Sequence, residues 1–355
     1  MLVKRMVVMA LIVAVAAVGV GCWPQEGKML EFRKDLVLMD TIIQIALYHE
    51  DPQFGQEALD MAVAEFERLT ALSSRFPLEG RLSSKNSDIL RINENAGVGP
   101  VTVDADTMAM IQQSIYYCER SAGSFDITIG PVMDLWGFGG EEQQVPTDAQ
   151  LAAVLPLVDY RLIQVDPEQM TVYLPRRGMS LDLGGVAKGY ATEKTAALLE
   201  ELGIKHALIN AGGNIYALGP KPNGNPWRIG IRDPRREVGY FGILSVSDLS
   251  LVTSGDYERY FEVDGVRYSH LIHPATGKQT RGIVQTTVAS LSSTEADIVN
   301  KPLFLLGLEK GIEAAEQFDL AGTVSVTEEG EVHVTGIFAE KMEFIKSSGY
   351  RLVEH

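Results

Sequence analysis

Cysteine is almost absent: the 355 residues contain two, Cys22 and Cys118. That excludes a disulfide-stapled small scaffold and a Cys-rich zinc module, each of which needs several thiols at fixed spacing. Basic residues are also in deficit, 31 against 47 acidic, a formal −16 at pH 7. A chain so charged repels phosphate backbones at long range, which excludes nucleic acid as a general partner. A small phosphorylated ligand is not excluded, because a few backbone N–H groups and lysines can hold it locally. No internal repeat occurs, and no Pro/Gly/Ser linker is long enough to separate two domains. With 46% hydrophobic residues, 34 Gly and 15 Pro, the chain reads as one folded α/β domain.

Long apolar runs are confined to the start, where Lys4 and Arg5 precede an unbroken run from Met6 to Val20 and Gly21-Cys22 follows. The run is shorter than the ~20 residues of a membrane span and has the pattern of an export signal. Val18-Gly19-Val20-Gly21-Cys22 is similar to the bacterial lipobox, in which the Cys is lipidated and becomes the mature N-terminus. The expected organisation is a signal over 1–21, a lipidated tether over 22–35 and a folded domain over 36–355. The mature protein is then anchored through Cys22 to a bacterial membrane and faces the periplasm or cell exterior. An acylated Cys22 leaves Cys118 without a disulfide partner, and the amphipathic stretch Ile111–Cys118 makes that thiol a packing residue.

Residues 36–48, rich in β-branched side chains, predict a strand. The apolar spacing of Ala58, Met61, Ala62, Phe66, Leu69 and Leu72 predicts an amphipathic helix over 56–72. Further helices are expected over 104–121, after Thr147 as N-cap, over 187–202 ending at Gly203, and over 302–318 beginning at Pro302. From residue 164 the texture is βαβ, with Met179–Leu183 as a strand entering a glycine-rich corner.

That corner, Leu181-Asp182-Leu183-Gly184-Gly185-Val186-Ala187-Lys188-Gly189-Tyr190, carries the strongest chemical signal. It delivers a carboxylate, allows close backbone approach at two glycines and places a lysine at a helix start, an arrangement suited to phosphate. It is neither a Walker loop nor a G-x-G-x-x-G fingerprint; a tight turn with a capping Asp is the plainer alternative. Asp297, expected just before the last long helix, could join Asp182 in holding Mg²⁺, which prefers hard oxygen ligands. His270 suits a general base beside a phosphate site, whereas the His270-x-x-His273 spacing lacks the further ligands that zinc needs.

Five segments taken together resemble the ApbE family of FAD:protein FMN transferases. They are Met39-Asp40-Thr41; Asn86-Ser87-Asp88-Ile89 with Ile92-Asn93; Gly123–Pro131 with Leu135–Gly139; Asp182–Tyr190 with Asn210–Asn214; and Thr253–Tyr257 with His270–Gly277. The resemblance spans roughly residues 36–340 and implies one T-fold-related domain of mixed sheets with flanking helices. It implies transfer of FMN from FAD to a Thr of a target protein, through a phosphoester, with release of AMP. Met39, Phe76, Ser124, Phe125, Asp126, Asp182, Lys188 and Ile272 would line the FAD site, with His270 and Asp182 as catalytic groups. Mg²⁺ would sit between the Gly185 carbonyl and Asp297. Implied acceptors are domains of Na⁺-translocating NADH:quinone reductase or Rnf-type complexes. Two departures stand out: His273 replaces a usual Asp, and Lys301 occupies the position of the family's metal-ligating Thr. An Mg-dependent FAD pyrophosphatase and a flavin-binding lipoprotein without activity are the alternatives.

Overall fold

Ile43, Ile45 and Leu47 alternate with partly exposed neighbours and are wholly buried, as a strand with one face on a core requires. In the computed structural model, which describes residues 28–83, 86–121, 123–138 and 142–354, this strand belongs to a hairpin. β1 (Leu30–Leu38) and β2 (Thr41–His49) pair antiparallel across the two-residue turn Met39-Asp40. The single strand expected over 36–48 is therefore two. Both turn residues have positive φ, 51° and 57°, a conformation usually signalled by Asn-Gly, so Met-Asp does not announce it. β1 also absorbs residues 30–35, which were expected in the tether. The export signal and Cys22 lie outside the described residues.

The hairpin opens a nine-stranded sheet whose spatial order follows the chain. After β2 come β3 (Ala207–Ala211), β4 (Asn214–Leu218), β5 (Leu249–Gly255), β6 (Ile283–Ser290), β7 (Gly322–Thr327), β8 (Glu331–Val334) and β9 (Arg351–Glu354). Neighbours are antiparallel except β8 and β9. Of the βαβ texture expected after residue 164, the strands Gln164–Asp166 and Thr171–Tyr173 form and pair antiparallel in a separate small sheet, but the strand expected to enter the glycine corner does not. Met179–Leu183 forms no strand and makes only an isolated bridge, Ser180 to Ile129. The fold class stands as a mixed α/β domain.

Helices cover one face of the sheet. α1 (Pro52–Ser73) starts at Asp51, whose carboxylate accepts the Gln53 and Phe54 N–H groups, and buries Ala58, Leu59, Ala62, Phe66 and Leu69. Met61, expected on that face, is exposed. α2 (Ala105–Arg120) buries Cys118, whose thiol is pushed up by burial and is inert packing. α3 (Gly130–Trp136) follows, and Thr147 forms a capping box with Gln150 as its position predicts. α4 (Ala187–Glu201) packs on α1 and on α5 (Ser293–Leu305). The opposite face is covered by a small sheet whose Trp227, Ile229, Ile231, Phe241 and Leu244 pack on Val284, Val324 and Val326.

α5 corrects a boundary that matters for chemistry. Pro302 was expected to open a helix; the helix begins at Ser293, capped by the Ser292 hydroxyl, and carries Pro302 in its interior. A break at Gly307, φ 79°, separates it from α6 (Leu308–Ala315). Asp297 therefore lies inside a helix, on the same face as Lys301 four residues on. α4 and α5 cross at Gly189, where a Cβ would lie 2.4 Å from the Ser293 carbonyl oxygen.

Candidate functional site

Asp182 is held through both carboxylate oxygens. Its Oδ1 accepts the Gly184 N–H at 2.8 Å, closing the glycine corner as a capping carboxylate would. Its Oδ2 pairs with Arg75 Nη1 at 3.1 Å, and Arg75 reaches on to Asp134 at 2.6 Å. Asn93 braces the same loop with two amide hydrogen bonds to the Leu181 backbone, 2.7 and 3.0 Å, which accounts for the Ile92-Asn93 segment. Arg75 was not found from sequence, because it sits in a polar, Ser-rich stretch with no periodic signal.

The corner forms one wall of a cleft that opens to solvent. Met39, Ser124, Phe125, Asp126, Asp182, Gly185, Lys188, His270, Ile272, Asp297 and Lys301 all line it, so the structure brings together every expected site residue but one. Phe76 lines an adjoining groove that shares Met39, Asp182 and Lys188 with the cleft, and the Arg75 guanidinium lies 5.0 Å from its ring centre. Asp126 is turned inward: its oxygens accept from Thr128 (2.6 and 2.8 Å) and the Tyr160 N–H (3.0 Å), so its carboxylate shapes the loop beneath the cleft. Burial pushes that carboxyl up. Arg259, unnoticed in the sequence, lines the cleft and faces Asp40 at 3.6 Å.

Lys188 donates to the Gly184 carbonyl at 3.2 Å. Burial, opposed by Asp297 and reinforced by the charges of Lys301 and Arg259, brings its ammonium down to about 8. Such a lysine is charged at neutral pH and poorly solvated, as a phosphate ligand requires. His270 Nδ1 lies 3.2 Å from the Arg259 carbonyl oxygen, which can only accept, so Nδ1 carries the proton and Nε2 keeps its lone pair. Burial, together with the Arg259 and Lys188 charges, holds the imidazole well below its usual range. His273 behaves as a turn residue, its Nδ1 accepting the Ala275 N–H at 3.2 Å.

The expected Mg²⁺ set fares differently. Asp297 is fully buried; its Oδ2 accepts the Gly189 N–H at 2.9 Å and its Oδ1 accepts from the Lys301 ammonium. Both carboxylate oxygens are engaged, and the third member of the set is a cation that donates and cannot ligate. Among the described residues no cluster of three His, Cys, Asp or Glu could hold a metal. The donors present do not fit a resident Mg²⁺ between Gly185, Asp297 and Lys301.

Known proteins share this frame. The ApbE family model matches residues 39–324. A relative from Treponema pallidum named FAD:protein FMN transferase is 32% identical over 317 residues, covering 84% of this chain and 85% of its own length. One of the same name from Klebsiella pneumoniae is 31% identical over 326 residues, covering 90% and 96%. The solved flavin transferase ApbE from Vibrio cholerae superposes with a TM-score of 0.76 at 26% identity, over 88% of this chain and 99% of the other. Since the matched span runs from the Met39-Asp40 turn to β7 and takes in the glycine corner, His270 and α5, the chain belongs to the ApbE family.

Proposed function

We propose that this chain is an FAD:protein FMN transferase. The observation that carries the reading is that His270, its Nδ1 turned to the Arg259 carbonyl, lines the same cleft as Lys188 and the Asp182 corner. The pyrophosphate of FAD would rest against Lys188 and the backbone of the corner, with the flavin toward Met39 and Phe76. His270 takes the proton of an acceptor Thr hydroxyl as its Oγ attacks the phosphorus of the FMN half. The Oγ–P bond forms, the bond from that phosphorus to the bridging oxygen breaks, and AMP leaves with the bridging oxygen and its electron pair. Lys188 faces the charge gathering on the phosphoryl oxygens.

On this reading the acceptor is a Thr carried on a loop of a target protein, and the cleft is open to solvent on one side. The reading includes an exported chain tethered through a lipidated Cys22, which raises the local concentration of membrane-borne acceptor domains of the Na⁺-translocating NADH:quinone reductase or Rnf type. The signal-like pattern of residues 1–22 supports this. The test is mass spectrometry of such a domain after incubation with the protein and FAD: a Thr carrying the mass of FMN, with one AMP released per modification, is expected. Free FMN and AMP with an unmodified acceptor would make water the true acceptor and refute transfer.

Asp182→Ala is expected to weaken FAD binding about tenfold or more, because Arg75 then loses the partner that aims it at the corner. Stability should fall by only about 1–3 kcal/mol, since Asp134 still pairs with Arg75. Flavin fluorescence titration alongside thermal denaturation separates the two effects. Unchanged affinity in a destabilised variant would reduce Asp182 to a brace.

A further inference from the structure

On the transfer reading above, the phosphate site already contains a fixed cation besides Lys188. The Lys301 ammonium donates to Asp297 Oδ1 and, at 2.8 Å, to the Asp297 carbonyl oxygen. Its stem passes 3.4 Å from where a Cβ of Gly185 would stand, so the ammonium is held between α5 and the glycine corner. The side chain is 13% exposed, and that exposure is to the cleft. An ammonium has three N–H groups, and among the described residues two find acceptors; the third has none. A divalent ion entering here would have to strip the ammonium from a buried carboxylate and leave it beside itself, unpaired. Like charges so close in a dry site repel strongly.

We infer that Lys301 is a built-in cation: its ammonium stands at Asp297 where a divalent ion would otherwise be needed, and gives its remaining N–H to a phosphate oxygen of FAD. Lys188 holds the same pyrophosphate from the α4 side, so two fixed ammonium groups receive the charge that AMP carries away. FAD binding and FMN transfer then need no added metal. The bond changes are those already given, and the cation takes no part in them beyond electrostatic stabilisation.

The test compares FAD affinity, read by flavin fluorescence, and FMN transfer to an acceptor domain, read by mass, in EDTA and in millimolar Mg²⁺. The wild-type chain is expected to give the same affinity and rate in both, within about twofold. Lys301→Thr should bind FAD about tenfold or more weakly in EDTA and recover on adding Mg²⁺. Lys301→Arg, which keeps the charge and the pairing with Asp297, should retain metal-independent binding even if the Thr variant folds poorly. Wild-type affinity that collapses in EDTA and returns with Mg²⁺ would overturn the inference. FAD binding that ignores metal with no transfer to any acceptor would support it while refuting the transferase reading. Failure to bind FAD under either condition would overturn both.

Discussion

His270→Ala is expected to slow FMN transfer by about 10²–10⁴-fold, the range a positioned general base supplies, with FAD affinity nearly unchanged. The loop should survive, because the residue 270 N–H already donates to the Arg259 carbonyl at 3.0 Å and an alanine keeps that bond. The pH profile identifies the group. The His270 imidazole sits well below its usual range, so it is an active, neutral base throughout neutral pH and is lost only in acid. The Lys188 ammonium, brought down to about 8, is lost on the alkaline side. In kcat/KM, which reports the free enzyme, the rate should fall as pH rises through about 8. In kcat that limb should move to higher pH, because bound phosphate favours the charged lysine. The residual rate of the alanine variant should keep the alkaline limb and lose the acid one. An acid limb that persists would assign the base to another residue.

The parts of this site legible in the sequence are those whose chemistry is local. Asp182, Gly185 and Lys188 fall within one glycine corner, and His270 stands in a segment the family pattern already marked, although the Arg259 carbonyl that fixes its tautomer lies outside those segments. What was hidden depends on long-range pairing or on competing rules. Arg75 meets Asp182 across 107 positions, which no periodicity encodes. The Met39-Asp40 turn takes left-handed backbone angles without the Gly or Asn that would advertise them, because the strand register on both sides enforces it. Pro302 signalled a helix start, yet Ser292 supplied the better cap nine residues before it was needed and the tertiary packing of Leu303 and Phe304 carried the helix past the proline. The relation between Asp297 and Lys301 was nevertheless legible, because a spacing of four puts both on one helix face, and the continuous α5 pairs them.

Asp297→Ala is accordingly expected to be the most destabilising single change in the cleft, at about 3–5 kcal/mol, the cost of breaking a buried ion pair from one side. The carboxylate is wholly buried, and its loss leaves the Lys301 ammonium without its counter-charge and the Gly189 N–H without an acceptor at the α4–α5 crossing. Burial by itself raises the Asp297 carboxyl, but the Lys301 and Lys188 charges and the two hydrogen bonds outweigh it and hold the group below its usual value. A depressed carboxyl contributes stability that is present above the unfolded value, about 3.9, and is lost as pH falls through the lower folded one. The gap between wild type and Asp297→Ala in urea should therefore be full at pH 7 and narrow below about pH 4. Replacing the pair together, Asp297→Leu with Lys301→Met, removes both charges at once and should recover most of the lost stability, because a buried pair contributes little net over apolar packing. FAD affinity should not recover with it, since the ammonium that faces the phosphate is gone. A double variant as unstable as Asp297→Ala would show that Gly189 and the helix crossing, not the charge pair, set the cost.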